Sequence, residues 1–217
     1  MIITVQKPLT EIIKLLKPYK KIFIIGCGTC CTTSKTGGEE EVKNMKEILG
    51  DRVIGFTVVE APCDSRVLKR DLKPHMHKVS EAEVILTMCC GCGAQNVAEY
   101  TDKPIIPALN TQFLGKVEKI GVFEEKCREC SDCVLGETGG ICPYTLCPKG
   151  LLNGPCGGTV NGKCEVGGYK RDCVWIKIYK RMKEQGQINV FKKIKPPRDY
   201  SLMSKPRSVL VKKTKSN

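Results

Sequence analysis

Lys21-Ile22-Phe23-Ile24-Ile25-Gly26-Cys27-Gly28-Thr29-Cys30-Cys31 is the stretch on which the fold turns. Ile22 to Ile25 are apolar at every position, which is the pattern of a strand buried on both faces, as in a parallel sheet. On its amino-terminal side, Thr10 is expected to cap a short helix with Ile12, Ile13, Leu15 and Leu16 on one face, stopped near Pro18. On the other side the periodicity switches and returns. Residues 39–49 predict a helix, acidic at its start, with Val42, Met45, Ile48 and Leu49 on one face. Residues 53–59 predict a second strand, 65–73 a helix halted by Pro74, and 83–88 a third strand. A short helix over 96–100 precedes a fourth strand at 105–109, with a fifth over 120–123. Strands alternating with helices at this spacing predict an α/β domain, a Rossmann-like open parallel sheet with right-handed crossovers.

The topology makes a specific statement about thiols. Cys27, Cys30 and Cys31 follow the first strand, Cys63 the second, and Cys89, Cys90 and Cys92 the third. All seven are therefore expected in loops at the carboxyl edge of one sheet, where open α/β folds place ligands. Glycines 26, 28, 91 and 93 are expected to let the backbone turn tightly around a bulky group there. Buried cysteine also packs as a small hydrophobe, but that reading suits one or two residues and not a CxxCC and a CCxC at equivalent strand ends. A further iron–sulfur cluster or a zinc ion is the expected occupant. Gly26-x-Gly28-x-x-Cys31 also resembles a dinucleotide fingerprint, but cysteine replaces the third glycine, and Glu60 is the only acidic candidate after the second strand. His75 and His77, the only histidines, are read as surface residues.

Eight of the fifteen cysteines fall within residues 127–173. They run Cys127-x2-Cys130-x2-Cys133, then Cys142-Pro143, Cys147-Pro148, Cys156-Gly157-Gly158, Cys164 and Cys173. Eight is twice the four thiolates of a cubane cluster, and CxxCxxC with a later Cys-Pro echoes bacterial ferredoxins. Two 4Fe–4S clusters are expected. Cys127, Cys130 and Cys133 would share one with a downstream cysteine, and four of the remaining five would hold the second. Zinc competes through Cys130-x2-Cys133, but a second CxxC knuckle is missing. So glycine-rich a segment buries too little apolar mass to order itself, so metal must supply much of its folding energy. Asp172 is expected to cap a closing helix to about Gln185, with Val174, Trp175, Ile178 and Met182 as its apolar stripe.

Composition narrows the partners. The formal net charge of +13 points first to nucleic acid. From Lys192 onward, however, nine Lys or Arg face one acid, Asp199, so +8 of that charge lies in the last 26 residues. Each oxidised cubane with its thiolates adds about −2, which brings a protein with two or three clusters to about +9 or +7. The tail reads as an extended, solvated basic arm or as a strap over an acidic partner surface. The opening residues lack the features of a signal peptide, and no early apolar run approaches the roughly 18 residues that span a bilayer. A cytoplasmic location is expected, where reducing conditions favour metal ligation over disulfides. No Ser-His-Asp arrangement, Walker loop or catalytic carboxylate pair is evident.

The string Cys142-Pro143-Tyr144-Thr145-Leu146-Cys147-Pro148-Lys149-Gly150-Leu151-Leu152-Asn153-Gly154-Pro155-Cys156-Gly157-Gly158, with Cys164-Glu165-Val166 and Asp172-Cys173-Val174-Trp175, resembles the cysteine-rich module of methylenetetrahydrofolate reductase. In that family it belongs to a small iron–sulfur subunit that partners a flavin-bearing barrel subunit. The resemblance extends over nearly the whole chain and implies electron delivery to or from the flavin that interconverts methylene- and methyl-tetrahydrofolate. It implies that flavin and folate sit on the partner, with a further electron-donor protein as a second possible contact. Three segments are expected: 1–123 the α/β domain, 124–190 the cluster module with its closing helix, and 191–217 the basic tail. Competing readings are a zinc-binding nucleic-acid adaptor, weakened by few aromatic platforms, and a methyl-transfer accessory with a zinc thiolate among Cys89, Cys90 and Cys92.

Overall fold

A computed structural model describes residues 1–210, which fall into two compact units, Met1–Glu124 and the chain from Glu125 onward. Among the described residues no helix is long and apolar enough to cross a membrane.

The first unit is built from β1 (Ile2–Gln6), α1 (Leu9–Leu16), β2 (Ile22–Cys27), α2 (Cys30–Thr33), α3 (Glu39–Leu49), β3 (Val53–Val59), α4 (Ser65–Leu72), α5 (Met76–Glu81), β4 (Val84–Met88), α6 (Gly91–Thr101), β5 (Ile105–Pro107) and β6 (Leu109–Lys119). β7 (Val122–Cys127) carries the chain out of it. Four strands form a parallel sheet in the order β3-β2-β4-β5. β2 is central and buried at all six positions, as its unbroken apolar run requires. Because successive side chains point to opposite faces, Ile22 and Ile24 join Ile12, Leu16, Val42 and Met45 on one side. Phe23 and Ile25 join Leu68, Leu72, Val79 and Val97 on the other. This is the doubly covered α/β sheet expected of the sequence.

Three departures have physical reasons. The chain opens with a strand, β1, which pairs antiparallel with β6 in a second sheet of order β1-β6-β7. The expected fourth strand therefore ends at Pro107, and the expected fifth lies in the second sheet, entered through a turn at Ile120-Gly121 with Gly121 at φ +79°. In α1 only Ile12 and Leu16 are buried, while Ile13 and Leu15 are more than 40% exposed, so the apolar face is narrower than expected.

Close backbone approach fixes the edge where the cysteines gather. Cys27 N–H donates to the Gly37 carbonyl at 2.8 Å, and a Cβ on Gly37 would lie 1.8 Å from the Met88 carbonyl oxygen. Gly26 would meet the Gly37 carbonyl at 2.6 Å. Gly26, Gly28 and Gly93 all have neighbours within 3.1 Å of an added Cβ, and none of the three has a positive φ. These glycines serve close packing, whereas tight turning was the expectation. Gly91 is open, its nearest neighbour being Thr111 Oγ1 at 3.6 Å. Gly37→Ala is expected to destabilise the first unit by about 3 kcal/mol, the upper end for overpacking, because the clash is with backbone. A urea midpoint unchanged from wild type would contradict this.

The second unit contains α7 (Pro143–Leu146), α8 (Val174–Glu184) and α9 (Ile188–Phe191), joined by loops. Val174, Trp175, Ile178 and Met182 form the buried stripe of α8, as the sequence indicated. The cap differs: Cys173 is the N-cap residue, and Asp172 pairs instead with Lys163 at 2.6 Å and Lys177 at 3.0 Å. Trp175 Nε1–H donates to the Leu151 carbonyl at 3.2 Å, tying the helix to the cysteine loops.

Candidate functional site

In the first unit the seven cysteines lie at or after the ends of β2, β3 and β4, but only Cys63, Cys89 and Cys90 lie between elements. Cys27 ends β2, Cys30 and Cys31 open α2, and Cys92 sits in the first turn of α6. The correction arises because α6 starts five residues before the expected helix, directly on the cysteine motif. Cys27, Cys31, Cys89 and Cys90 are buried, Cys30 is half-buried, and Cys63 and Cys92 are exposed.

Five of these thiols, Cys27, Cys31, Cys63, Cys89 and Cys90, are shifted by burial and by neighbouring groups. A hydrogen bond from Cys31 holds the Cys27 thiol well below its ordinary range, while the same bond and burial push Cys31 up. Burial raises Cys89, and charge on Cys90, Cys27 and Cys63 adds to it. Burial likewise raises Cys63, with contributions from Cys90 and Cys92. Cys90 is raised by burial, an effect opposed by the N–H groups of Gly93 and Cys92. Thr4 Oγ1 anchors this edge, lying 3.6 Å from Cys31 Sγ and 2.6 Å from Thr36 Oγ1 in a buried hydroxyl group with Ser34. Asn96 Nδ2–H donates to the Pro62 carbonyl at 2.7 Å and joins the Cys63 loop to α6.

His75 is half-buried near Phe23, with ring centroids 6.1 Å apart, and His77 is exposed. Glu60 pairs with Arg70 at 2.7 Å, and the helix after β2 spans only four residues. Neither feature suits a dinucleotide.

The second unit separates its eight cysteines into two places. Cys147, Cys156, Cys164 and Cys173 line one small cavity of about 20 Å³, walled by Leu151, Val174 and Trp175. Lys149 Nζ approaches Cys156 Sγ at 3.5 Å and also pairs with Glu165. The Cys127–Cys133 run lies elsewhere. Arg128 Nη1–H donates to the Tyr144 carbonyl at 3.3 Å, which sets that run beside α7, whose N-cap residue is Cys142. Cys127 Sγ accepts the Glu129 N–H at 3.3 Å. Glu129 and Ser131 are left-handed, at φ +53° and +61°, so the run is tightly folded. Among the described residues, no three His, Cys, Asp or Glu side chains converge as the ligands of a single ion do.

Residues Lys195, Arg198 and Arg207 carry contacts that composition alone did not indicate. Lys195 pairs with Glu137 at 2.9 Å, and Arg198 lies 3.9 Å from the centre of the Tyr144 ring with its side chain only 5% exposed. Arg198 Nη2–H donates to the Cys130 and Asp132 carbonyls, and Arg207 Nη1–H to the Glu129 carbonyl at 2.6 Å. The described part of the basic tail is therefore partly folded onto its own unit, where an extended, solvated arm or a strap over a partner surface was expected. A signal was present in the mixed Pro and Arg of residues 196–198. Residues 211–217, the end of the expected tail, lie outside the described residues.

Residues 106–201 match a family described as the methylene-tetrahydrofolate reductase C terminal. The match takes in all eight cysteines of the second unit and none of the seven in the first, a shorter reach than the resemblance read from the sequence. No curated protein and no solved structure matches the chain.

Proposed function

We propose that the chain is an iron–sulfur electron-transfer subunit working with a flavin-bearing methylenetetrahydrofolate reductase. One observation carries this reading. Cys147, Cys156, Cys164 and Cys173 line a single cavity inside the stretch that matches the reductase-related family. Four thiols with an apolar wall and no histidine form the donor set of a cubane cluster. A single zinc ion needs all its sulfurs about 2.3 Å from one point, whereas a cubane takes one thiolate on each of four irons and so a wider spacing. The 20 Å³ space requires the loops to part around the group. Left-handed Gly154, Gly157, Gly162, Gly167 and Gly168 give those loops the freedom to do so.

Cys127, Cys130, Cys133 and Cys142 form the second set. In the first unit, Cys27, Cys30, Cys31, Cys63, Cys89, Cys90 and Cys92 hold a further cluster or a zinc ion, a reading supported by their placement at the carboxyl ends of β2, β3 and β4. When bound, the clusters supply one-electron transfer. The protein holds them, places Trp175 and Leu151 beside the Cys147–Cys173 set, and sets their potentials by nearby charge. The first unit's sheet has four parallel strands and is no barrel, so flavin and folate are assigned to the partner.

Protein prepared without oxygen is expected to be brown, with roughly eight irons and matching sulfide in the second unit. A colourless chain with zinc alone would overturn the electron-transfer reading. So would full activity of the flavin subunit with its own electron donor and no trace of this chain.

A further inference from the structure

Helix α8 has two opposite faces. Val174, Trp175, Ile178 and Met182 are buried, and the face turned away from them exposes Lys177, Lys180, Arg181 and Lys183 against one acid, Glu184. The helix does not need this charge for itself. Arg181 and Lys183 lie in the last turn, where cations favour the helix dipole, but Lys177 and Lys180 lie too early to gain from it. Lys177 and Arg181 stand four residues apart, a spacing at which like charges repel. Lys170 and Arg171, just ahead of the helix, are exposed as well. Of these six cations, Lys177 alone has a carboxylate partner among the described residues, Asp172 at 3.0 Å. The excess is local to the second unit. Residues 125–210 hold sixteen Lys and Arg against eight Asp and Glu, whereas residues 1–124 hold seventeen against fifteen. The same cations border the Cys147–Cys173 set. Cys173 is the N-cap residue of α8, and Cys164 N–H donates to the Arg171 carbonyl at 2.9 Å. Cys164 is half-buried and Cys156 exposed, so the set reaches the surface of the unit.

We propose that the outer face of α8, continued by Lys170 and Arg171, docks an acidic one-electron carrier protein and brings its redox centre to the Cys147–Cys173 cluster. The inference rests on the iron–sulfur reading and deepens it by naming where electrons enter. One electron passes from the reduced carrier to the oxidised cluster. The carrier is left oxidised by one electron, the cluster reduced by one, and no bond or proton moves. A basic surface beside the accepting site steers an acidic partner and fixes its orientation. Electron-transfer encounters use small interfaces, which one helix face and its preceding loop can supply. Single-stranded nucleic acid suits the face less well. Its one aromatic residue, Tyr179, is already engaged edge-on by Phe191, with ring centroids 5.6 Å apart.

The test uses the full chain prepared anaerobically, with iron counted, as wild type, K180E/K183E, K170E and a first-unit control, K14E/K17E. The probe is a plant-type 2Fe–2S ferredoxin, an acidic carrier. Calorimetry measures its binding at low and high salt, and stopped flow follows the electron from reduced ferredoxin to the chain. Wild-type binding is expected to weaken as salt rises. K180E/K183E should weaken binding and slow transfer about tenfold at low salt, with K170E between it and wild type and the control unchanged. Equal binding and transfer in iron-loaded wild type and K180E/K183E overturn this inference alone. An equal loss in K14E/K17E also overturns it, because the attraction would then belong to the whole chain. If K180E/K183E fails to keep its iron, K170E decides: wild-type affinity there overturns the inference. An iron-loaded wild type that leaves ferredoxin unbound, or binds it and takes no electron, overturns it too, whether or not the face holds a labelled oligonucleotide instead. A wild-type chain that holds no iron overturns the iron–sulfur reading and this inference with it.

Discussion

Replacing Cys164 with alanine is expected to remove about four of the roughly eight irons of the second unit, a loss that Cys130→Ala matches from the other set. The cavity shared by Cys147, Cys156, Cys164 and Cys173 defines the grouping. It also makes the prediction sharper than a count. Residues that serve one cluster act as a unit, so the double variant Cys156→Ala, Cys164→Ala should lose no more iron than either single variant. Cys130→Ala with Cys164→Ala should lose nearly all of it. Iron counted per chain in anaerobic preparations reads this directly, and EPR of the reduced protein identifies which signal has gone. If Cys156→Ala and Cys130→Ala prove non-additive while Cys156→Ala and Cys164→Ala add, the grouping is wrong. Ligands would then be exchanged between the two sets.

The parallel sheet was legible because its central strands, β2 and β4, are buried on both faces. Ile22–Ile25 and Val53–Val59 carry enough apolar side chains to specify strand without help from partners. β1 and β6 were not legible for the opposite reason. β6 is mostly exposed or half-exposed and rich in polar residues, and β1 acquires its role only by pairing with a segment more than a hundred residues away. A local pattern cannot report such a pairing. The helical start at Gly91 was obscured by two glycines, which propensity scores against helix, although close packing at Gly93 against Cys89 and Pro62 favours it.

The candidate site divides along the same line. Placement of cysteines after β2, β3 and β4 could be read from chain order, since topology carries strand ends to one edge. Grouping of the eight later cysteines could not. Their connections are loops in which left-handed glycines and the left-handed Glu129, Ser131, Asn161 and Tyr169 set the path, and spacing does not encode such turns. Arg198 was hidden by distance, because the carbonyls it holds lie 66 and 68 residues earlier. Charge counting merged it with a tail from which it differs completely in burial.

Stripping iron from the protein with a chelator under reducing conditions is expected to unfold the second unit and leave the first intact. The asymmetry follows from their cores. The first unit buries two extensive apolar clusters on either face of its sheet. The second buries one small apolar cluster, Cys173, Val174, Trp175, Ile178 and Met182, and one of these is a proposed ligand. That core is small for a unit of long loops, whose ordering costs conformational entropy along the whole chain. On the iron–sulfur reading, metal ligation supplies the rest. The chain's single tryptophan, Trp175, lies in that core 4% exposed, so its fluorescence reports the second unit alone. Chelation should shift its emission to the red as water reaches the ring. Far-UV circular dichroism should keep the signal of the first unit, and protease should cut beyond residue 125 while sparing what precedes it. Buried, unshifted Trp175 emission in iron-free, zinc-free protein would show that the second unit orders itself without metal, and the structural role of the cysteines would have to be abandoned.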